Sequence, residues 1–281
     1  MKIVVLVTGA SRGIGRGIAL AMLEAGATVH VTARTRTEAE AAVHPQGSGS
    51  LDSLIEEART LPGELWVHSC DHADDAQTDA IVAKVLQQHG TIDILVNNAW
   101  PGYENMVEND DFTWVRPFWE QPMWRWNAMI DVGLRCAFVA SRAAAPAMVK
   151  KRSGLIVNIS FWAAELFEGN AIYGVAKAGV NKLASDFAHD LRPHGVAAVA
   201  LYPGLVRTEA VLRAAEHFDL SNSESPRFIG RVIQGLWRDP HHLDKSGEVY
   251  VAAALALEYG ITDIDGKQPR PLTRSDFIRD Q

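Results

Sequence analysis

Short apolar runs recur along the chain, each followed by a longer stretch with helical spacing. Ile3 to Val7, Val29 to Thr32, Leu65 to Ser69, Ile92 to Asn97, Leu155 to Ser160 and Ala197 to Tyr202 are short, rich in β-branched residues and predominantly apolar. Runs of this kind suit strands covered on both faces, as in a parallel sheet. Between them, Gly15 to Ala25, Asp74 to His89, Trp126 to Lys150 and Tyr173 to Arg192 read as helices. The alternation predicts a doubly wound α/β domain whose right-handed crossovers put helices on both faces of the sheet. Glu248 to Leu257 is a candidate for a final strand. No internal repeat or linker divides the chain, so residues 1–281 are expected to form a single domain.

Two stretches break the rhythm. Val43 to Pro62 contains HPQGSGS and reads as a loop with a short helix. Trp100 to Trp126 holds Trp100, Tyr103, Phe112, Trp114, Phe118, Trp119, Trp124 and Trp126. Such a segment either buries its own aromatics against the domain or forms a wall of a substrate pocket. Its position supports the second reading, because it leaves the C-terminal end of the fourth strand, where open α/β sheets place their ligands.

Composition narrows the class. The 281 residues are 47% hydrophobic, enough for one large core. A formal net charge of −7 without a basic stripe argues against a nucleic-acid partner. Cys70 and Cys136 stand far apart in no CxxC pattern, as expected of buried thiols in a reducing compartment. The start, MKIVVLVTGA, does not read as a signal peptide, and no apolar stretch reads as long enough to span a bilayer. A cytoplasmic protein with no membrane partner is expected.

Candidate chemistry begins at Thr8 to Gly15, TGASRGIG, between the first run and the first helix. Gly9 permits a tight turn, and Gly13 and Gly15 admit close approach of a pyrophosphate to backbone and helix start. Ser11, Arg12 and Ile14 share this turn. A site selective for NAD usually places a carboxylate near the end of the second strand. Here Ala33 and Arg34 stand there, and no carboxylate appears before Glu38. Arg34, with Arg12, is suited to a 2′-phosphate, so NADP(H) is the expected cofactor.

Tyr173 and Lys177 lie four apart in YGVAK, on one helical face. A nearby ammonium favours the phenolate and is expected to lower the phenol's pKa, fitting it for general acid–base work. Ser160 ends the run LIVNIS at the sheet edge where the cofactor is expected, placed to polarise a carbonyl oxygen. His68 and His72, and the adjacent His241 and His242, lack further ligands at suitable spacing, so no metal site is expected.

These motifs, with NNA at Asn97 to Ala99 and YPGLVRT from Tyr202, make the chain similar to the short-chain dehydrogenase/reductase family over nearly its whole length. The resemblance implies a single Rossmann-like domain with a seven-stranded parallel sheet. It implies Tyr173 as acid/base, Lys177 as the residue that tunes it and binds the nicotinamide ribose, and Ser160 as the substrate-orienting hydroxyl. It also implies that Asp71 contacts the adenine, that Asn97 supports the central strand beside the cofactor, and that Pro203, Gly204, Val206 and Thr208 form a loop closing over the nicotinamide. A narrower likeness, to one animal subgroup, lies in DVGLR, in ELFEGNAIYGVAKAGVNKLASDFAHDLRPHGV and in EYGITDIDGKQP. One position departs: the family's relay asparagine aligns with Gly133, or with Asp131 if the register slips by two.

The expected activity is interconversion of a carbonyl and an alcohol on a small apolar substrate. Two alternatives stay open: a non-catalytic NADP-binding sensor or interaction protein on the same fold, and an NAD-preferring dehydrogenase. The family also implies a homodimer or homotetramer built on the two long helices.

Overall fold

The computed structural model describes residues 2–44, 49–109 and 111–277. Seven strands form one parallel sheet: β1 (Val4–Val7), β2 (Thr28–Ala33), β3 (Glu64–Ser69), β4 (Ile94–Asn97), β5 (Gly154–Ile159), β6 (Val196–Tyr202) and β7 (Val249–Val251). Their order is β3-β2-β1-β4-β5-β6-β7. The order reverses between β1 and β4, so the crevice beside their C-terminal ends is the ligand position for this topology. The inner strands β1, β4, β5 and β6 are buried at every residue, while the edge strands β3 and β7 are only partly covered.

Five principal helices cover the sheet: α1 (Gly13–Glu24), α2 (Asp75–His89), α3 (Arg135–Lys151), α4 (Ala171–Leu191) and α5 (Pro226–Arg238). Asp74 caps α2 through the Ala76 amide, and Gly90 ends it in the left-handed region. α5 was not singled out by periodicity, although Ser225 as N-cap and Pro226 at the first turn are ordinary start signals. The expected late strand is corrected. β7 is only three residues, and Ala252–Glu258 turns helical, as its alanines and leucines favour. In Val43 to Pro62 the short helix is Leu51–Ala58, and residues 45–48 lie outside the described residues.

The long helix before β5 begins earlier than expected, at Met123, and passes through a π-helical stretch, Asn127–Leu134, before becoming α3. The expectation that no stretch matches a bilayer is also corrected: Met123–Lys151 is long and apolar enough by length and composition. In the fold, Val139, Ala140, Ala144 and Met148 are buried, while Arg135 and Arg142 pair outward with Asp75 and Asp79 of α2. Somewhat less than half of its apolar window is buried inside the fold.

α1 and α5 cross closely. A Cβ on Gly17 would overlap the backbone of Pro226, and one on Gly230 would lie 2.6 Å from the Ala21 Cβ. Gly17→Ala is therefore expected to destabilise the protein by roughly 1–3 kcal/mol, the usual range for overpacking a dense contact. Urea unfolding measures this, and an unchanged midpoint would contradict the crossing.

Candidate active site

The C-terminal ends of β1, β4, β5 and β6 deliver Thr8, Asn98, Ser160 and Pro203 to one edge of the sheet. Gly9 and Gly13 have positive φ, 69° and 58°, so the turn before α1 uses backbone that favours glycine. A Cβ on Gly9 would lie 2.6 Å from the Ala99 Cα, and one on Gly15 would overlap the Gly9 carbonyl. The Gly13 amide donates to the Glu209 carboxylate at 2.9 Å, so a negative group already stands at the helix start. Ser11 is buried and its carbonyl accepts from Arg16, while Ile14 packs on the core. The cradle thus fits an anionic, closely approaching ligand such as a dinucleotide pyrophosphate.

The two asparagines after β4 divide their tasks. Asn97 donates to Ser141 Oγ at 2.9 Å and Asn158 Oδ1 at 2.8 Å, tying β4 to α3 and β5 inside the core. Asn98 Nδ2 donates to the carbonyls of Thr8 (3.0 Å) and Gly9 (2.8 Å), and so holds the glycine turn in place. The sequence reading missed Asn98, although it shares the NNA motif. Asp71 lies two residues beyond β3, with its carboxylate accepting from the Ala73 amide.

Arg34 pairs with Glu104, and the His44 ring lies 3.6 Å from the same carboxylate. Arg12 donates to Thr35 Oγ1 at 2.9 Å and to the Gly49 carbonyl at 3.1 Å, and contacts His44 at 2.8 Å. Burial, with Arg12 and Arg34 alongside, lowers His44 to about 4 and keeps it neutral. Arg12, His44, Glu104 and Arg34 thus form one charged cluster. Glu104 was not foreseen, because it lies 70 residues from Arg34 within the aromatic segment.

That segment folds over Tyr173. The rings of Trp114, Trp100, Tyr103 and Phe161 stand 5.2, 5.8, 5.8 and 6.4 Å from it between centroids. With Tyr173, Ala163 and Ala176 it builds a satellite core. Its hub is Arg125, fully buried, which donates to Thr113 Oγ1 at 2.8 Å and the Thr113 carbonyl at 3.0 Å, and stacks on Trp124. Asn170 links this unit to α4: its Oδ1 caps the helix at the Tyr173 amide (3.1 Å), and its Nδ2 donates to the Trp114 carbonyl (2.9 Å).

Tyr173 and Lys177 share one buried face of α4. Tyr103 Oη donates to Tyr173 Oη at 2.7 Å. Lys177 Nζ donates to the Ile159 carbonyl at 3.2 Å and stands 5.8 Å from the centre of the Tyr173 ring. Ser160 Oγ donates to the Lys177 carbonyl at 3.3 Å. The expected depression of the phenol is corrected in this enclosed arrangement. Burial pushes Tyr173 well above its usual range, Tyr103 adds to the effect, and burial lowers Lys177 to about 7.

After β6, Gly204 donates its amide to the buried Glu224 carboxylate at 2.9 Å, and Val206 bridges Glu224 by backbone pairing. Pro203 precedes this anchor, and Thr208 caps the short helix Glu209–Arg213 over the glycine turn, its methyl 3.5 Å from where a Gly13 Cβ would be. His68 pairs with His30 at 2.9 Å, whereas His72 binds Thr32 and Thr78. Among the described residues, no group of three or more His, Cys, Asp or Glu is placed to hold a metal ion.

A dinucleotide cradle beside a buried Ser–Tyr–Lys group is the arrangement of the dehydrogenases that the motifs resemble. Residues 3–217 match the short chain dehydrogenase family, and the chain belongs to it. Among relatives, dehydrogenase/reductase SDR family member 1 of Mus musculus is 38% identical over 278 residues, covering 94% of this chain and 84% of that protein. A short chain dehydrogenase structure from Mycobacterium thermoresistibile has a TM-score of 0.78 at 26% identity, covering 96% of this chain and 91% of that one. A metagenomic short-chain oxidoreductase, solved in complex with NADP, has a TM-score of 0.67 at 30% identity, covering 89% of this chain and 96% of that one.

Asn98→Ala leaves the Thr8 and Gly9 carbonyls without that donor. It is expected to lower stability by about 1–3 kcal/mol and to weaken dinucleotide binding. Thermal melts and calorimetric titration check both, and wild-type values would show that the turn holds itself.

Proposed function

We propose that this protein interconverts a carbonyl and an alcohol on a small apolar molecule, with NADP(H) as redox partner. The observation that carries the reading is the burial of Tyr173 and Lys177 on one face of α4, with Ser160 behind them, under an aromatic roof beside the glycine turn. When bound, the nicotinamide supplies hydride exchange with the substrate carbon. Tyr173, held neutral by burial, keeps the proton that a substrate oxygen receives on reduction. Tyr103 occupies that hydroxyl and yields it to the substrate. Ser160 turns from the Lys177 carbonyl to orient the same oxygen. Lys177 is placed to hold the nicotinamide ribose. Trp100, Trp114 and Phe161 exclude water and favour an apolar substrate.

Arg34 and Arg12 support the choice of NADP(H), and so does the NADP complex of the metagenomic relative. Glu104 favours a second reading, NAD, because it already neutralises Arg34. A homodimer or homotetramer is supported by exposed Phe138 and Val175 on α3 and α4, with Phe138 packed against Phe187. Two buried, unpaired cysteines support a reducing compartment such as the cytoplasm.

Tyr173→Phe is expected to lower kcat by about 100-fold or more while dinucleotide binding is kept. NADPH absorbance against a panel of ketones and aldehydes tests this, and an active phenylalanine variant would refute the assignment. For the cofactor, Arg34→Ala is expected to weaken NADPH binding at least tenfold with little change for NADH. Glu104→Gln should tighten NADPH by freeing Arg34. Equal effects on both nucleotides in titration would favour NAD.

A further inference from the structure

Trp100, the third residue beyond β4, stands against Gly133, Gly102 and Lys177. A Cβ on Gly133 would lie 2.7 Å from indole Cε3 and Cζ3. One on Gly102 would lie 2.7 to 2.8 Å from Cε2, Cζ2 and Nε1. The indole is therefore clamped at two edges by residues that lack side chains, one of them in the π-helical stretch where helix spacing widens. Its Nε1 is buried without a hydrogen-bond partner, so shape rather than a hydrogen bond sets the ring's place.

The Lys177 amine lies over that ring, 4.1 Å from its centre. Each element packed around the amine contributes little charge. α4 offers the Tyr173 ring, α3 the Cys136 thiol, and β5 the Ile159 carbonyl. No carboxylate pairs with the amine among the described residues. The face of an indole carries the negative lobe of its quadrupole, and it attracts a cation most strongly where water is excluded.

We propose that Trp100 is the positioning residue for Lys177: its face, admitted by Gly133, steadies the ammonium where the surrounding protein offers one carbonyl and no counter-charge. Any side chain at Gly133 would collide with the ring. The inference rests on reading Tyr173 and Lys177 as the reacting pair.

The test uses the cofactor-free full chain. Lys177 ionisation is followed by the pH dependence of its acetylation with acetic anhydride, read on its peptide by mass spectrometry. Trp100→Leu, which keeps bulk but removes the face, is expected to lower the midpoint by about one pH unit, the size of a desolvated cation–π contact. Trp100→Phe should lower it less. Gly133→Ala, which keeps the tryptophan but displaces it, should shift the midpoint in the same direction. Midpoints equal to wild type in folded Trp100→Leu overturn the proposal. If that variant does not fold, unshifted Trp100→Phe and Gly133→Ala overturn it. Wild-type protein that reduces no carbonyl with either nucleotide would instead overturn the preceding functional reading, and the titration would still decide whether the indole holds the amine.

Discussion

A lysine amine removed from water, with no carboxylate paired to it among the described residues, is the constraint on which this site depends. Desolvating a cation is unfavourable, and partial relief comes from carbonyls, from aromatic faces or from release of the proton. Lys177 shows all three: the Ile159 carbonyl, the Trp100 face and a pKa drawn down to about 7. The same dry surroundings act on Tyr173 in the opposite sense and keep it protonated. Burial thus favours the uncharged form of both neighbours, fully for the phenol and in part for the amine. That suits a site whose charge has to appear only during reaction.

The nucleotide half of the site balances its charges differently. Two of its groups have an acidic companion: Glu104 on Arg34, and Glu209 on the Gly13 amide. Glu209 begins the short helix capped by Thr208, so one carboxylate links the glycine turn to the segment following β6. Glu224 anchors that segment from the other side through Gly204. A phosphate-bearing ligand entering here exchanges one anion for another, a smaller electrostatic change than neutralising bare cations.

Much of this was legible from residue order. The apolar runs revealed the buried strands because parallel strands covered on both faces must be apolar nearly throughout. TGASRGIG and YGVAK revealed the turn and the shared face of Tyr173 and Lys177 because each acts through local backbone geometry. What remained hidden depended on contacts between distant segments. Nothing local says that Asn98, rather than Asn97, faces the glycine turn, or that Glu104 crosses to Arg34. Gly133, or Asp131 at a slipped register, was read as standing where the family has its relay asparagine. Only the packing shows it as room for an indole. The short edge strand β7 gives way to helix at Ala252, where propensity and position compete and periodicity alone does not decide. Arg125 is charged and fully buried, which inverts the usual reading of an arginine as surface.

The crossing of α1 and α5 also has a consequence in time. The helix that starts at the nucleotide turn buries Ile18, Ala21 and Met22, and part of its cover is a segment some two hundred positions later. During synthesis, a growing chain holds that apolar stripe without its final partner until residue 238 has left the ribosome. A helix translated well ahead of its cover is thus completed only when that cover arrives, and a chain interrupted between the two would expose a sticky helix in place of a finished cradle.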